Sequence, residues 1–355
     1  MGPGAATCSQ SGRSSGSRSE SAARAGQLTR ALTPPEGQSP ETAVKCAFSY
    51  TAARVDRTRS EPRLAEALTC RGRSRGVQVV VSHRRGGSSR LVRRSLSPHA
   101  CRGVGPLPES YDELFSNDGE WRLPFSCFAV RSSESTVLVD VGVGPPRAGT
   151  FLPERQGWLP SQLGGVGIMP EDVDVCLLTH LHVDHIGWAL DHDANPRFPG
   201  ARYLAPKRDL EWLGTRPSHE LEPAATGLMR LDERGLIESY EGVEEILPGV
   251  TVEPTYGHTP GHSSVWIRSG PDEAVSLGDL AVHPAQLDNP SWAYSFDVDP
   301  EAAADARGNV VEALREGDPL IACGHFPGGG IGRLTGSTTG GWQALDDRAR
   351  GGNRV

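Results

Sequence analysis

Residues 177–188, "LLTHLHVDHIGW", constrain this chain more than any other stretch, since three histidines and an aspartate fall within six positions after an apolar run. The whole chain of 355 residues has only 11 histidines. His180 and His182, two positions apart, can point the same way from an extended segment and bind one cation. Asp184 and His185 follow at once, and a segment this short cannot wrap four side chains around one ion. A histidine-rich polar turn is the alternative, but the pattern predicts two metal ions that share one loop.

Further ligands are predicted downstream, in "YGHTPGHSS", "SLGDL" and "ACGHFPGG". Asp279 follows a glycine and can bridge two ions with its two oxygens, and a hydroxide is expected to share the bridge. Ligands of this kind fit Zn²⁺ best, and Mn, Fe, Co or Ni are also compatible. The predicted ligands are His180, His182 and His262 for one cation, and Asp184, His185 and His325 for the other.

Two polar residues near these ligands are assigned supporting roles. His258 is expected to support a ligand rather than to bind a cation itself. Asp140, which ends the apolar run "STVLVDVG", is expected either to orient a ligand histidine or to cap its own turn. Both residues therefore belong to the predicted surroundings of the metals.

From about residue 121 the chain alternates between short β-rich runs and helical segments, which predicts an α/β fold. "FSCFAV", "STVLVDVG", "VDVCLLTH", "ARYLAP", "LIESY", "VTVEPTY", "SSVWIRS", "EAVSLGD" and "PLIACGH" read as strands. "MPEDVD" reads as a helical turn, and "KRDLEWL", "PAATGLMRLDERG" and "DPEAAADARGNVVEALREG" as helices. Polar residues follow several strands directly, which places them at one edge of a sheet: Asp140, His180, Asp279 and His325.

The motifs "VLVDVG", "THLHVDH", "GHTPGH", "GD" and a final "GH" together resemble the metallo-β-lactamase superfamily over about residues 121–335. The resemblance implies a four-layer αβ/βα sandwich with a dinuclear site at one edge and hydrolytic activity. It carries the family's ligand roles onto the seven residues assigned above: His180, His182, Asp184, His185, His262, Asp279 and His325.

The segments "GDLAVHPAQLDNPSW", "FDVDPEAAADAR" and "GHFPGGGIGRL" resemble the branch that holds quorum-quenching acyl-homoserine lactonases and methyl parathion hydrolase. The expected reaction is attack of the bridging hydroxide on a lactone or small ester, with Asp184 and Asp279 as the catalytic carboxylates. Some lactonases place a tyrosine three residues after the bridging aspartate, whereas Val282 stands there in this chain. His283 is the expected substitute, and the expected walls of an apolar acyl pocket are Trp188, Trp292, Tyr294 and Phe296.

Other functions stay open at this point. A glyoxalase II-like thioesterase would use the same ligands, but that family ends in a helical domain, and only 30 residues follow His325. A phosphotriester hydrolase is a further alternative. True β-lactamases lack the bridging aspartate, and flavodiiron proteins have glutamate where His182 stands, so both are disfavoured.

The two ends of the chain differ in charge. Residues 1–105 carry 18 Lys and Arg against 6 Asp and Glu, whereas residues 106–355 carry 18 against 38, and the overall net charge is −8. The first part has little apolar sequence and is expected to be a poorly ordered basic extension. The predicted division is thus an extension over 1–105, a hydrolase domain over 106–343 and a flexible tail over 344–355.

The basic extension raises the alternative of a nucleic-acid-binding protein or nuclease, which the solvated-tail interpretation disfavours. The 7 cysteines show no regular spacing and predict no disulfide framework. No secretory signal or membrane span is apparent, so a cytoplasmic protein that acts on a small molecule is expected. A homodimer is compatible with the sequence.

Overall fold

The computed structural model describes residues 48–50, 66–69, 78–82, 89–93, 121–132, 134–146, 157–294, 296–334 and 341–345. Most of the predicted extension and the predicted tail lie outside the described residues. The domain boundaries that the sequence suggests therefore stay predictions. Among the described residues, no helix combines the length and the apolar character that a membrane span requires.

The strands are, in chain order, β1 (Phe48–Tyr50), β2 (Glu66–Thr69), β3 (Gln78–Ser82), β4 (Ser89–Arg93), β5 (Trp121–Leu123), β6 (Cys127–Arg131), β7 (Thr136–Val139), β8 (Val175–Leu177), β9 (Arg202–Pro206), β10 (Ile237–Tyr240), β11 (Glu244–Leu247), β12 (Val250–Pro254), β13 (Ser263–Ser269), β14 (Asp272–Ser276), β15 (Leu320–Ala322), β16 (Ile331–Leu334) and β17 (Trp342–Ala344). The α-helices are α1 (Leu159–Gly165), α2 (Val183–Ile186), α3 (Lys207–Gly214), α4 (Pro223–Glu233), α5 (Ala285–Asp288) and α6 (Pro300–Gly317). The predicted turn in "MPEDVD" is a 3₁₀ helix, Pro170–Asp172.

Within the described residues, the strands form two seven-stranded sheets and one three-stranded sheet. The first large sheet has the order β10-β9-β8-β7-β6-β3-β2, and its strands β7 to β10 are parallel. The second has the order β11-β12-β13-β14-β15-β16-β17 and is antiparallel except where β14 pairs with β15. Strands β2 and β3, from the basic part of the chain, thus add to the edge of the first sheet.

Alternation along the strands produces four layers, because successive side chains point to opposite faces of a sheet. Val137 and Val139 join the cluster between the two sheets, whereas Leu138 joins the cluster under helices α1, α3 and α4. In the second sheet, Val275 and Ile321 pack under helix α6. The predicted four-layer αβ/βα sandwich is confirmed.

Helix α6 begins as the sequence predicts, since the Asp299 carboxylate accepts a hydrogen bond from the Ala302 N–H at 3.1 Å. It also ends at Gly317, the last residue of the predicted segment, and Asp318 follows in the left-handed conformation, with a φ of 47°. Strands β11, β16 and β17 were not predicted. Their sequences, "EEIL", "IGRL" and "WQA", are only three or four residues long, and pairing with a neighbour makes them strands.

Parallel pairing places the carboxyl ends of adjacent strands at one edge. In the first sheet, Asp140 follows β7 and the histidine loop follows β8. In the second sheet, Asp279 follows β14 and His325 follows β15. All four segments therefore meet at the same edge of the sandwich.

Candidate metal centre

The loop after β8 is held in place by Asp140. Its Oδ1 accepts a hydrogen bond from the Thr179 N–H at 2.8 Å, and its Oδ2 lies 2.8 Å from Nδ1 of His185. Of the two roles expected for Asp140, the geometry therefore supports the orientation of a histidine. The contact directs the other ring nitrogen, Nε2, towards the centre of the site.

A first group of side chains converges on one point: His180, His182, His258 and Asp279. Nδ1 of His182 lies 2.9 Å from Nε2 of His258, and Nε2 of His258 lies 3.3 Å from Oδ2 of Asp279. Nε2 of His180 lies 3.8 Å from the same oxygen. Burial lowers the pKa of His180 and of His182 well below the usual value, so both imidazoles are neutral and can bind a cation.

A second group lies beside the first and consists of Asp184, His185 and His325. Oδ2 of Asp184 lies 3.6 Å from Nε2 of His185 and 3.5 Å from Nε2 of His325. Burial would lower the pKa of His185, but the carboxylates of Asp279, Asp184 and Asp140 outweigh it and raise that pKa. The second group is thus richer in negative charge than the first.

Asp279 lies between the two groups and offers one oxygen to each. Its Oδ2 faces the first group, whereas its Oδ1 lies 3.2 Å from Nε2 of His185 and 3.1 Å from Nε2 of His325. Burial alone would raise the pKa of Asp279, but the neighbouring His325 and His185 hold it well below its usual value. The carboxylate is therefore ionised and has one oxygen directed to each group.

Several donor atoms of the two groups make no hydrogen bond with each other and are free to bind cations. Nε2 of His180, Nε2 of His185 and Oδ1 of Asp279 are buried and have no hydrogen-bond partner. Buried polar atoms without partners are costly and rare in folded proteins. Because these three atoms all point into the same space, divalent cations would satisfy them together.

The two histidines of "GHTPGH" have the opposite placement from the one that the sequence suggested. His262 uses both ring nitrogens within the protein: Nε2 accepts from the Asp279 N–H at 2.9 Å, and Nδ1 lies 3.0 Å from the Thr255 carbonyl. Burial lowers the pKa of His262 to about 3. It supports the backbone of Asp279, and no ring nitrogen is left for a metal.

His258 occupies the place that had been assigned to His262. Its Nδ1 contacts Oδ1 of Asp297 at 3.0 Å, and its Nε2 points at Asp279. Burial opposes protonation, but hydrogen bonds to the two carboxylates raise the pKa of His258 to about 9. His262 directly precedes β13 and His258 lies in the preceding loop, but this difference in position does not by itself show which ring can bind a metal.

The aromatic residues predicted to wall a pocket fall into two sets. The Tyr294 ring stacks on His258 with centroids 6.0 Å apart, and Phe296 lies 5.3 Å from Tyr294. Trp292 packs against the core under α6. Trp188 belongs to the core under α1, α3 and α4, and its role towards a substrate stays a prediction.

His283 is held in one tautomer. Its Nδ1 accepts a hydrogen bond from the Ala285 N–H at 3.1 Å, which leaves the proton on Nε2. Burial lowers the pKa of His283 to about 4, so the ring is neutral. Its role towards a substrate stays a prediction.

Sequence reasoning missed Asp209, a fully buried carboxylate in α3. It accepts hydrogen bonds from the Leu181 N–H at 3.1 Å, the Thr259 hydroxyl at 2.8 Å and the Gly261 N–H at 2.6 Å. These contacts tie the histidine loop to the "GHTPGH" turn. An aspartate in the first turn of an amphipathic helix gives no sign of such a role.

A four-layer sandwich with these histidines and aspartates at one edge defines a metal-dependent hydrolase. The chain belongs to the metallo-beta-lactamase superfamily, whose model matches residues 122–325. The resemblance stated from the motifs is therefore confirmed.

Two curated relatives are similar at modest identity. An N-acyl homoserine lactonase of Bacillus thuringiensis is 27% identical over 219 residues, which cover 57% of this chain and 81% of that protein. A probable metallo-hydrolase of Mycobacterium tuberculosis is 28% identical over 228 residues, which cover 56% of this chain and 73% of that protein.

Two solved structures share the fold. One is AidC, a dizinc quorum-quenching lactonase in complex with a product, with a TM-score of 0.63, 19% identity and coverage of 80% of this chain and 98% of that chain. The other is the hydrolase AbOPH, with a TM-score of 0.64, 22% identity and coverage of 80% and 99%. At these identities the likeness establishes the architecture.

Proposed function

We propose that this protein hydrolyses a lactone or a similar small ester at a dinuclear metal site, with an acyl-homoserine lactone as the favoured substrate. The observation that carries the proposal is the placement of Asp279, whose two oxygens face two separate groups of ligands. The similarity to an N-acyl homoserine lactonase supports the substrate class.

The proposed ligands of the first cation are His180, His182 and His258, and those of the second are Asp184, His185 and His325, with Asp279 shared. This set differs from the sequence prediction only in the exchange of His258 for His262. Zn²⁺ is the proposed metal, because it is commonly bound by histidine and carboxylate ligands. When bound, two such cations would activate a water molecule near neutral pH and polarise the substrate carbonyl.

The chain's own residues supply the positioning and the proton transfer. The side chain of Asp184 is 16% exposed, whereas that of Asp279 is 5% exposed, so Asp184 is the more open of the two carboxylates. Asp184 is proposed to accept a proton from the attacking water and to return it to the leaving oxygen. The new carbon–oxygen bond then replaces the ester bond, and the lactone opens to a hydroxy acid.

Tyr294 is the proposed wall beside the reacting carbonyl. Burial and the carboxylates of Asp279 and Asp184 raise the pKa of Tyr294 well above its usual value, so its hydroxyl keeps its proton. The ring stacks on His258 and places an apolar surface next to the first group. Phe296 extends this surface, which suits an acyl chain.

The test combines metal analysis with a substrate panel. We expect about two equivalents of metal per chain and a kcat/KM for acyl-homoserine lactones at least about 100-fold above that for S-lactoylglutathione or a phosphotriester, a difference of about 2.7 kcal/mol in barrier. One equivalent of metal, or a preference for the thioester or the phosphotriester, would reject the proposal. Salt-sensitive binding of RNA or DNA by the full chain would instead favour the nucleic-acid alternative.

A further inference from the structure

Arg307, in α6, is a fully buried charged side chain. Its Nε donates to the Leu280 carbonyl at 2.6 Å, and its Nη1 donates to the carbonyls of Pro290 and Trp292 at 2.6 and 2.8 Å. Leu280 directly follows the shared ligand Asp279. The guanidinium thus joins the metal-bearing strand end to residues 289–294 and 296–298, which we term the wall segment.

Asp297 supplies the negative charge that faces this guanidinium. Its side chain is fully buried, and its Oδ2 lies 3.6 Å from Nη2 of Arg307. The same oxygen accepts a hydrogen bond from the Tyr294 N–H at 2.8 Å. Oδ1, the other oxygen, lies 3.0 Å from Nδ1 of His258. One carboxylate therefore meets the arginine, the turn that carries Tyr294 and a proposed ligand.

A buried ion pair is a costly way to fill space, because removal of both charges from water costs several kcal/mol. Apolar side chains of similar volume would pack α6 against the wall segment equally well. The arginine instead supplies directional contacts, because hydrogen bonds to three carbonyls fix the plane of the Arg307 guanidinium. Fixed in this way, Arg307 holds its positive charge 3.6 Å from the carboxylate of Asp297.

Asp297 in turn determines the state of His258. In the neutral ring that a cation would bind, a carboxylate that accepts from Nδ1–H leaves the free electron pair on Nε2, which is directed towards Oδ2 of Asp279. The Tyr294 ring, anchored to the same carboxylate by its backbone, stacks on the imidazole. Orientation of the ligand and position of the pocket wall thus depend on a single group.

We propose that Asp297 and Arg307 are positioning residues that lock His258 for metal binding and couple it to the wall segment. The inference rests on the proposed metal site, and it adds that a cation at the first group stabilises the wall of the substrate pocket. Neither residue contacts the reacting atoms. Their effect is therefore expected in metal affinity and in the dynamics of the wall segment.

The test replaces Asp297 with asparagine, which has the same shape. An amide cannot accept from both His258 and Tyr294, because one of its two polar atoms is a donor. Zinc titration against a chromophoric chelator should show a loss of about 10–100-fold in affinity at one of two sites. Hydrogen exchange of the wall segment should slow on zinc addition in the wild type and change little in Asp297→Asn. Asp305→Asn, an exposed change in α6, should match the wild type.

Arg307→Lys keeps the positive charge but loses the planar guanidinium. It should lower zinc affinity at one of the two sites, as Asp297→Asn does, but by a smaller factor. Arg315→Lys, an exposed change in α6, is its control. Wild-type zinc affinity and wild-type zinc-dependent exchange in either folded variant would overturn the proposal. Because neither measurement uses a substrate, a wrong assignment of the lactone would leave both results unchanged, whereas a wild-type chain that binds no zinc would reject the metal site itself.

Discussion

The first group of proposed ligands, His180, His182 and His258, is built from imidazoles, whereas the second includes the Asp184 carboxylate and is backed by Asp140. The groups also differ in how the fold holds them. The second depends on residues that directly follow β7 and β15 or lie in the short helix α2. The first depends on a turn that is fixed from outside by Asp209 and Asp297.

This difference indicates that the second group is the more negatively charged half of the site. The first group needs buried carboxylates on separate elements, α3 and the wall segment, to bring His258 into place. Changes to the supporting residues should therefore affect the two halves unequally. Only changes to the shared Asp279 should affect both to a similar extent.

The largest effect is expected for Asp279→Ala, which removes one oxygen from each group. Lactone hydrolysis should fall about a thousandfold or more, about 4 kcal/mol in barrier, because neither cation keeps its shared ligand. Metal content per chain and kcat/KM are the measurements. Retention of more than a tenth of the activity would contradict the bridging role.

The next largest effect is expected for variants that remove a ligand from only one of the two groups. His258→Ala and His325→Ala should each reduce the metal content from about two equivalents to about one, since each removes a ligand of a single group. Metal analysis after dialysis against a weak chelator provides the measurement. Two retained equivalents in both variants would show that these histidines are not ligands.

His262→Ala is the matched variant for the reversed placement in the "GHTPGH" turn. It should keep two equivalents of metal and lose about 1–3 kcal/mol in free energy of unfolding, because the buried Asp279 N–H loses its acceptor. Urea unfolding of the metal-free protein measures this. A loss of one metal equivalent without a loss of stability would restore the original sequence assignment.

The smallest effects are expected for the supporting carboxylates. Asp209→Asn should weaken zinc binding at the first group by about 10–100-fold. Asp140→Asn should have an effect of that size at the second group, through His185, and a smaller effect at the first, through the loop that carries His180. Sequential zinc titration distinguishes the two sites, with the exposed Asp305→Asn as control. Equal weakening of both sites by either variant would mean that the halves are not independent.

Much of the fold and of the site was predictable from local patterns. The strands are either alternating or continuously apolar in sequence. The polar residues that the motifs single out follow β7, β8, β14 and β15. Asp209, Asp297 and Arg307 had no such signal. Each acts through contacts with residues more than ten positions away, which neither periodicity nor spacing encodes.

By itself, the sequence determined that a histidine-rich loop follows a buried strand and that a carboxylate and a further histidine follow two other strands. These are properties of adjacent residues, and backbone periodicity is sufficient to express them. Only the tertiary structure decided between His258 and His262. The two lie four positions apart in one turn, and the hydrogen-bond partners that the fold brings to each ring, Asp297 for one and the Asp279 backbone for the other, determine which nitrogen stays free.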